Sequence, residues 1–283
     1  MSAARLFGLT ALAMLAFAAN SVLNRMAVGA GWIDPLAFAG VRVVAGAVVL
    51  ALLVGLRGGA VWAGWCGRGA GVFGLVVYLV GFSLAYLSLG AGVGALILFG
   101  SVQVTMFAGA LMSGEQVPRA RWLGAGLAFA GLVGLVAPGG AEVPVAGALA
   151  MAAAGFGWGI YSLAGRGATD ALGATAWNFV LSVPVVVGIA VLAGPMKAEA
   201  MGLWLAVLSG AVTSGMGYAL WYGVVPHLGA ARAAVAQLTV PMLAALGGAV
   251  LIGEGVGWRF GVASAVILGG VALASRQSGL ARR

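Results

Sequence analysis

Few residues of this sequence have side chains that could perform covalent or acid–base chemistry. The chain of 283 residues has one histidine, His227, one cysteine, Cys66, and only six acidic residues. One histidine and one cysteine exclude a His/Cys metal cluster and an internal disulfide. The chain has no HExxH motif, and GFS at 81–83 lacks the rest of a nucleophile elbow. We therefore expect no enzyme activity, no cofactor and no bound metal.

Neutral polar and aromatic side chains, in contrast, recur in the middle of long apolar runs. Groups of this kind bind a solute through hydrogen bonds and ring contacts without reacting with it. Bonding to their own or a neighbouring helix is the alternative for the hydroxyls and amides. The residues that we expect to line a substrate cavity are Asn20, Tyr78, Gln103, Trp158, Tyr161, Ser209, Ser214 and Gln237.

The elements that must position these residues are transmembrane helices. Hydrophobic residues make up 63% of the chain and charged residues 7%, whereas a soluble domain has about 25% charged residues. The apolar runs have roughly the 20 residues that cross a bilayer. Pro184 and Pro241 lie within such runs and could act as hinges. We predict an all-α integral membrane protein with ten transmembrane helices near 5–26, 34–56, 69–89, 91–113, 120–137, 144–165, 172–193, 200–223, 230–252 and 258–275.

Two segments of the chain repeat one another. LGAGVGALILFGSVQVTMFAGALMSGE (89–115) and LGAARAAVAQLTVPMLAALGGAVLIGE (228–254) are 139 residues apart and share eight of 27 positions. This offset predicts two five-helix repeats, 1–139 and 140–283. Because five is odd, the second repeat enters the membrane from the opposite side, as in inverted-repeat transporters. The alternative is that Ala- and Gly-rich helices simply resemble one another. The repeat also includes the first helix, which otherwise resembles a cleavable signal peptide.

The distribution of basic residues predicts the orientation. The net charge is +8, but the basic residues lie singly or in pairs at the ends of apolar runs, which argues against nucleic-acid binding. With the N-terminus inside, ten basic residues lie on the cytoplasmic side and three outside, so we expect both termini in the cytoplasm. The ten are Arg5, Arg57, Arg68, Arg119, Arg121, Arg166, Arg232, Arg276, Arg282 and Arg283; the three are Arg25, Lys197 and Arg259.

The Gly-Glu corners and the helices that follow them resemble the drug/metabolite transporter superfamily, specifically its ten-helix EamA-type exporters. The corners occur in SGEQVPRARWLGAGLAFAGLVGLVA (113–137) and IGEGVGWRFGVASAVILGGVALAS (252–275). The resemblance implies a multi-pass exporter of the bacterial inner membrane. We expect Glu115 and Glu254 to be structural, each capping the following helix or pairing with a nearby arginine. A role as proton carriers is the alternative.

The substrate expectation rests on the aromatic residues and on this resemblance. All six acidic residues lie at or beyond helix ends, which favours facilitated export over proton coupling. Arg42 is the one charge well inside a helix, where it could bind a substrate carboxylate or be structural. Such a cavity is similar to that of the YddG-type exporters of aromatic amino acids and hydrophobic compounds. The alternatives are a proton-coupled exporter of another metabolite or drug, a channel, or an intramembrane enzyme. We expect the protein to bind a small-molecule substrate, to lie in the lipid bilayer and to be a monomer.

Overall fold

The structure, a computed structural model, describes residues 1–59, 67–114, 118–136, 143–165 and 168–276. Helices joined by short turns and loops make up this part of the chain. One isolated β-bridge joins Ile33 to Ala198. The helices are α1 (Ala3–Gly29), α2 (Pro35–Leu56), α3 (Gly69–Ala85), α4 (Ala91–Met112), α5 (Arg119–Val136), α6 (Val145–Ala164), α7 (Ala171–Leu192), α8 (Ala200–Leu208), a π-helical segment (Ser209–Met216), α9 (Gly217–Gln237), α10 (Val240–Ile252) and α11 (Trp258–Arg276).

Most of these helices are long and apolar enough to cross a membrane. Among the described residues, seven helical stretches meet that criterion, and Gly69–Ala85, Trp122–Leu135 and Trp258–Leu273 are shorter apolar helices. Large apolar side chains cover the outside of the bundle; Phe7, for example, is 78% exposed. The predicted all-helical membrane architecture is confirmed.

The boundary between the eighth and ninth predicted spans was expected between 223 and 230, and the stretches apolar enough to cross a membrane there are Ala200–Leu228 and Val235–Ile252. Helical structure nevertheless continues to Gln237 and is interrupted at 238–239. Pro241 explains the position, because it lacks the N–H that would bond the Gln237 carbonyl four residues earlier. The chain nevertheless reverses direction along α1: Ser209 bonds Asn20, Gly217 faces Ala16, and Gly247 faces Val22.

The helices of the two predicted repeats pack against each other rather than forming two separate cores. The most extensive helix pairs are α3 with α6, α5 with α11 and α2 with α7, and each pair joins the two halves of the chain. At the α3–α6 contact, a Cβ atom on Gly74 would lie 2.5 Å from the Gly157 carbonyl oxygen, and the reverse distance is also 2.5 Å. Only glycine permits this backbone approach.

Repeat-related glycines make reciprocal contacts. Gly71 on α3 faces Asn178 on α7, while Gly210, which lies 139 residues later, faces the backbone of Arg42 on α2. Thus each of these glycines packs against the second helix of the opposite half. A two-fold arrangement of the halves requires this reciprocity. The inverted orientation of the two repeats stays a prediction.

Candidate functional site

A small cavity lies where α1, α3, α4, α6 and α9 meet. The positions of its residues follow from the packing just described, since the α3–α6 contact brings two aromatic side chains, Tyr78 and Trp158, to the same point. The side chains that line the cavity are Phe17, Asn20, Ser21, Tyr78, Phe82, Leu98, Phe99, Trp158, Tyr218 and Gln237.

Aromatic rings form most of the wall, with Trp158 at the centre of the group. Its ring centroid lies 4.9 Å from that of Tyr78, 5.2 Å from that of Tyr218 and 5.1 Å from that of Tyr161, on which it stacks. Phe17 meets Tyr218 edge-on at 5.7 Å. Rings at these distances attract one another and offer both faces and edges to a flat solute.

The cavity is nearly closed in this conformation. Its free volume of about 20 Å³ is room for roughly one water molecule. A solute with an aromatic side chain therefore fits only when the rings of the wall move apart. The structure represents a state without room for substrate at the centre of the bundle.

Asn20 is a polar group of the wall that three hydrogen bonds hold in place. Its Oδ1 accepts hydrogen bonds from Ser209 Oγ at 2.5 Å and from Thr213 Oγ1 at 3.2 Å. Its Nδ2 donates to the Tyr78 hydroxyl at 3.3 Å. Because the two hydroxyls hold the carbonyl end of the amide, the amide nitrogen points toward Tyr78 and the cavity.

Arg42 lies behind this wall and is completely buried. Its Nη2 donates to the Tyr78 hydroxyl at 2.7 Å, and its Nε donates to Ser214 Oγ at 3.1 Å. Its guanidinium carbon is 5.0 Å from the ring centroid of Tyr78 and 4.9 Å from that of Phe82. Among the described residues, cation–π contacts and neutral hydroxyls thus take the place of the carboxylate that usually accompanies a buried arginine.

Half of the predicted cavity residues line the cavity, and most of the others lie directly behind it. Tyr161 stacks on Trp158, whereas Ser209 and Ser214 hold Asn20 and Arg42. Gln103 is half-buried one helical turn beyond Phe99 and is outside the lining. The predicted residues that line it are Asn20, Tyr78, Trp158 and Gln237.

The predicted hinges differ from each other in their surroundings. Pro184 lies inside α7, which continues without a break from Ala171 to Leu192. Pro241 lies in the first turn of α10, next to the interruption at 238–239. Of these two prolines, Pro241 is therefore the one that lies at an interruption of helical structure. A role of either proline in motion stays a prediction.

Several lining residues were not among those predicted. Phe82 follows Tyr78 by four residues, and Phe17 precedes Asn20 by three. Helical neighbours at these spacings share a face. Adding the residues one helical turn before and after each predicted residue would have identified both phenylalanines.

Comparison with known proteins agrees with this architecture. Residues 145–276 match the EamA-like transporter family. An uncharacterized protein of Pseudomonas aeruginosa is 44% identical over 270 residues, which cover 94% of this chain and 92% of that protein. The chain belongs to the EamA-like transporter family. Members of this family are membrane transporters rather than enzymes.

A solved structure shares the fold of this EamA-like transporter. That crystal structure matches 98% of the chain with a TM-score of 0.68, and the match covers 99% of its own chain. The sequence identity is 23%, so the comparison bears on the fold alone.

The two ends of α1 in the EamA-like transporter differ in how tightly they are packed. Near the C-terminal end, Glu254 Oε1 accepts from Arg25 Nε at 2.8 Å, and Glu254 Oε2 accepts from the Ala91 backbone N–H at 2.7 Å. Arg25 Nη1 also donates to the carbonyl of Tyr86 at 3.2 Å. These contacts join α1, α4 and the end of α10, and we call them the Glu254 cluster.

In the Glu254 cluster the glutamate pairs with an arginine, as one of the two expectations had it, but that arginine is on α1 and the helix whose N-terminus it meets is α4 rather than the following helix. Gly253 adopts a positive φ of 74° and turns the chain at the end of α10. The turn directs the Glu254 carboxylate to the N-terminus of α4, where the partial positive charge of the helix stabilises it. The other predicted corner residue, Glu115, lies outside the described residues, although Gly114 before it has the same left-handed backbone, with a φ of 69°.

Near its N-terminal end, α1 borders a wide apolar groove of the EamA-like transporter. The groove has a volume of about 810 Å³ and runs between residues 3–15 of α1 and residues 228–243. Ala236, which lines the groove, immediately precedes Gln237, which lines the central cavity. The groove lies on the outside of the bundle, where it includes the exposed Phe7 and Leu15.

Proposed function

We propose that this transporter exports small aromatic and hydrophobic amino acids and related compounds by alternating access around the central cavity. The observation that carries the proposal is a cavity wall of aromatic rings that carries a fixed amide and has no carboxylate among the described residues that line it. Flat apolar side chains pack favourably between such rings. A solute with a flat apolar side chain and a few polar atoms matches this wall.

The acidic residues favour facilitated transport over proton coupling. Within the described residues the acids are Asp34, Asp170, Glu199 and Glu254, and none of them lines the cavity. Asp34 accepts from the backbone of Lys197, and Glu254 belongs to the cluster described above. A transporter driven by protons needs a group that takes up and releases a proton on the path. Proton-coupled export of another metabolite or drug is the alternative.

The difference between the two ends of α1 supports alternating access. The Glu254 cluster joins the helices at one end, while the apolar groove borders α1 at the other. In the proposed orientation, with both termini in the cytoplasm of a bacterium and the chain in its inner membrane, the groove faces the cytoplasm. A solute would then enter along the groove and leave after the Glu254 cluster opens. One chain builds the whole cavity, so a monomer suffices.

The proposal is tested by measuring the flux of labelled phenylalanine in liposomes that contain the purified protein. Aromatic, aliphatic and charged amino acids serve as competitors. We expect saturable flux that phenylalanine and tryptophan inhibit and that a proton gradient does not drive. Trp158→Ala should lower the flux at subsaturating substrate about tenfold, because it removes three ring contacts from the wall.

The matched control is Trp204→Ala, because Trp204 is 73% exposed on the outside of the bundle. We expect this variant to transport at the rate of the unaltered protein. If aromatic competitors leave the flux unchanged, the proposed substrate class is wrong. Equal loss of flux in both tryptophan variants would remove the assignment of the cavity.

A further inference from the structure

The buried arginine behind the cavity wall has one nitrogen without a partner. Arg42 is fully buried, and its Nη1 makes no hydrogen bond to any described residue. The other two guanidinium nitrogens bond the hydroxyls of Tyr78 and Ser214. No described carboxylate pairs with the guanidinium. An uncompensated cation in the interior of a membrane protein is costly and marks a functional position.

The surroundings of Arg42 have more hydrogen-bond donors than acceptors. Three donors converge on the Tyr78 hydroxyl oxygen: Arg42 Nη2 at 2.7 Å, Asn20 Nδ2 at 3.3 Å and the Tyr218 hydroxyl at 3.5 Å. A hydroxyl oxygen has only two lone pairs. One of these donors, together with Arg42 Nη1, is therefore available to an additional acceptor. The excess of donors and the unbalanced positive charge both point to an anionic group.

We propose that Arg42 and Tyr78 bind the carboxylate of the transported solute, so that the transporter selects its substrates by the carboxylate and not by the ammonium group. The inference rests on the proposed function, since the side chain of the same solute packs against the aromatic rings. Tyr78 belongs both to the cavity wall and to the Arg42 network. A solute that separates Tyr78 from Trp158 also gains access to Arg42.

A carboxylate fits this position better than a phosphate or an amine. One guanidinium charge balances one carboxylate charge, whereas a doubly charged phosphate would keep an unbalanced charge among aromatic rings. An ammonium group would meet the like charge of Arg42, and the described lining has no carboxylate to pair with it. The expected substrates are zwitterionic amino acids and simple arylalkyl carboxylates, and arylalkyl amines should bind more weakly.

The test uses the unaltered protein and three compounds that share a phenylethyl group. Purified transporter in detergent binds labelled phenylalanine, and the competitors are 3-phenylpropionate, which lacks the ammonium, and phenethylamine, which lacks the carboxylate. We expect phenethylamine to compete at least about tenfold more weakly than 3-phenylpropionate, as a hydrogen bond between charged groups provides that much discrimination. Equal competition by the two compounds, or stronger competition by the amine, would overturn the proposal.

Substitutions of Arg42 add a second measurement. Arg42→Gln removes the charge, so the ratio of the inhibition constant of phenethylamine to that of 3-phenylpropionate should fall close to one. Arg42→Lys keeps the charge, and we expect it to keep a preference for the acid. Arg57→Gln is the matched control, because Arg57 is exposed where it pairs with Asp170, and its ratio should match that of the unaltered protein. An unchanged ratio in folded Arg42→Gln would contradict the proposal; if that variant does not fold, the competition on the unaltered protein decides.

The design separates this inference from the proposed function. If labelled phenylalanine does not bind, the proposed amino-acid substrates are wrong, and the Arg42 site is then measured directly by thermal unfolding in the presence of each competitor. Stabilisation by 3-phenylpropionate but not by phenethylamine, absent in Arg42→Gln, would support the carboxylate site. Stabilisation by neither compound, or by both equally, would overturn it.

Discussion

At the scale of single residues, the centre of this protein is a buried network in which polar side chains hydrogen-bond across the two halves of the chain. Asn20 belongs to the first half, and its partners Ser209 and Thr213 belong to the second. The network fixes the orientation of an amide that borders the cavity. Its contribution should therefore appear in both the stability of the protein and its binding of substrate.

We predict that Asn20 and Ser209 are energetically coupled. Asn20→Ala leaves the Ser209 hydroxyl without its acceptor, whereas Thr213 Oγ1 still donates to the Ser209 carbonyl at 2.8 Å. Ser209→Ala removes one donor to the amide, so each single substitution should lower the melting temperature. In the double variant the losses should fall short of additive by about 1 kcal/mol, the value of one buried hydrogen bond. Thermal unfolding of the four proteins in detergent measures this coupling. Additive losses would show that the hydrogen bond contributes no net stability.

At the scale of helices, two features bring the polar and aromatic residues together. The π-helical segment Ser209–Met216 widens the turn of the chain, and its residues Ser209 and Ser214 bond Asn20 and Arg42 respectively. Short π segments of this kind often lie at functional sites. The second feature is the close approach of α3 and α6, which depends on Gly74 and Gly157.

We predict that Gly74→Ala destabilises the bundle and reduces transport. The added methyl group would lie 2.5 Å from the Gly157 carbonyl oxygen and 2.8 Å from the Tyr161 backbone nitrogen, so α3 and α6 must separate and with them Tyr78 and Trp158. Gly188→Ala is the control, because a Cβ atom at Gly188 meets nothing within 4 Å. That variant should be neutral or slightly stabilised through its higher helix propensity. Melting temperature and phenylalanine flux report both effects, and equal behaviour of the two variants would contradict the prediction.

At the scale of the whole molecule, the two halves of the chain depend on each other for their cores. Helices α2, α3 and α5 make their most extensive contacts with α7, α6 and α11 of the opposite half. Relative motion of the halves would therefore change the cavity and both of its ends at once. The Glu254 cluster joins α1 and α4 of the first half to the end of α10 in the second.

We predict that fixing the Glu254 cluster stops transport. A variant with Arg25→Cys and Glu254→Cys, in a Cys66→Ser background, would be joined by a short, reducible thiol crosslinker. Flux should disappear on crosslinking and return on reduction, because alternating access requires this end to open. Lys197→Cys with Glu199→Cys is the control, since these paired residues lie on one loop and crosslinking them should not affect flux. Undiminished flux through the crosslinked Arg25–Glu254 variant would rule out opening at this end.

Local properties of the sequence were sufficient to predict the class of the fold and part of the site. Hydrophobicity and span length are properties of consecutive residues, so the helical membrane architecture followed from them. Tyr78 and Trp158 could be identified in the same way, because a polar or aromatic side chain in mid-span is visible without knowing its neighbours. The interruption of helical structure at 238–239 was not predicted, because it depends on the N–H that Pro241 lacks, four residues after Gln237.

The tertiary structure alone decided which helices meet and therefore what each polar group contacts. Glu254 was expected to act on the helix that follows it, yet its partner Ala91 lies 163 residues away in the chain. Arg42 was visible as a charge within a span, but the two rings and two hydroxyls that surround it belong to residues 36 or more positions away. Those residues leave one nitrogen of its guanidinium without a partner. Such pairings depend on the approach of distant helices, which no local pattern encodes. Candidate binding residues such as Tyr78 and Trp158 could thus be identified from the sequence. The groups that they contact are determined by the packing of one half of the chain against the other.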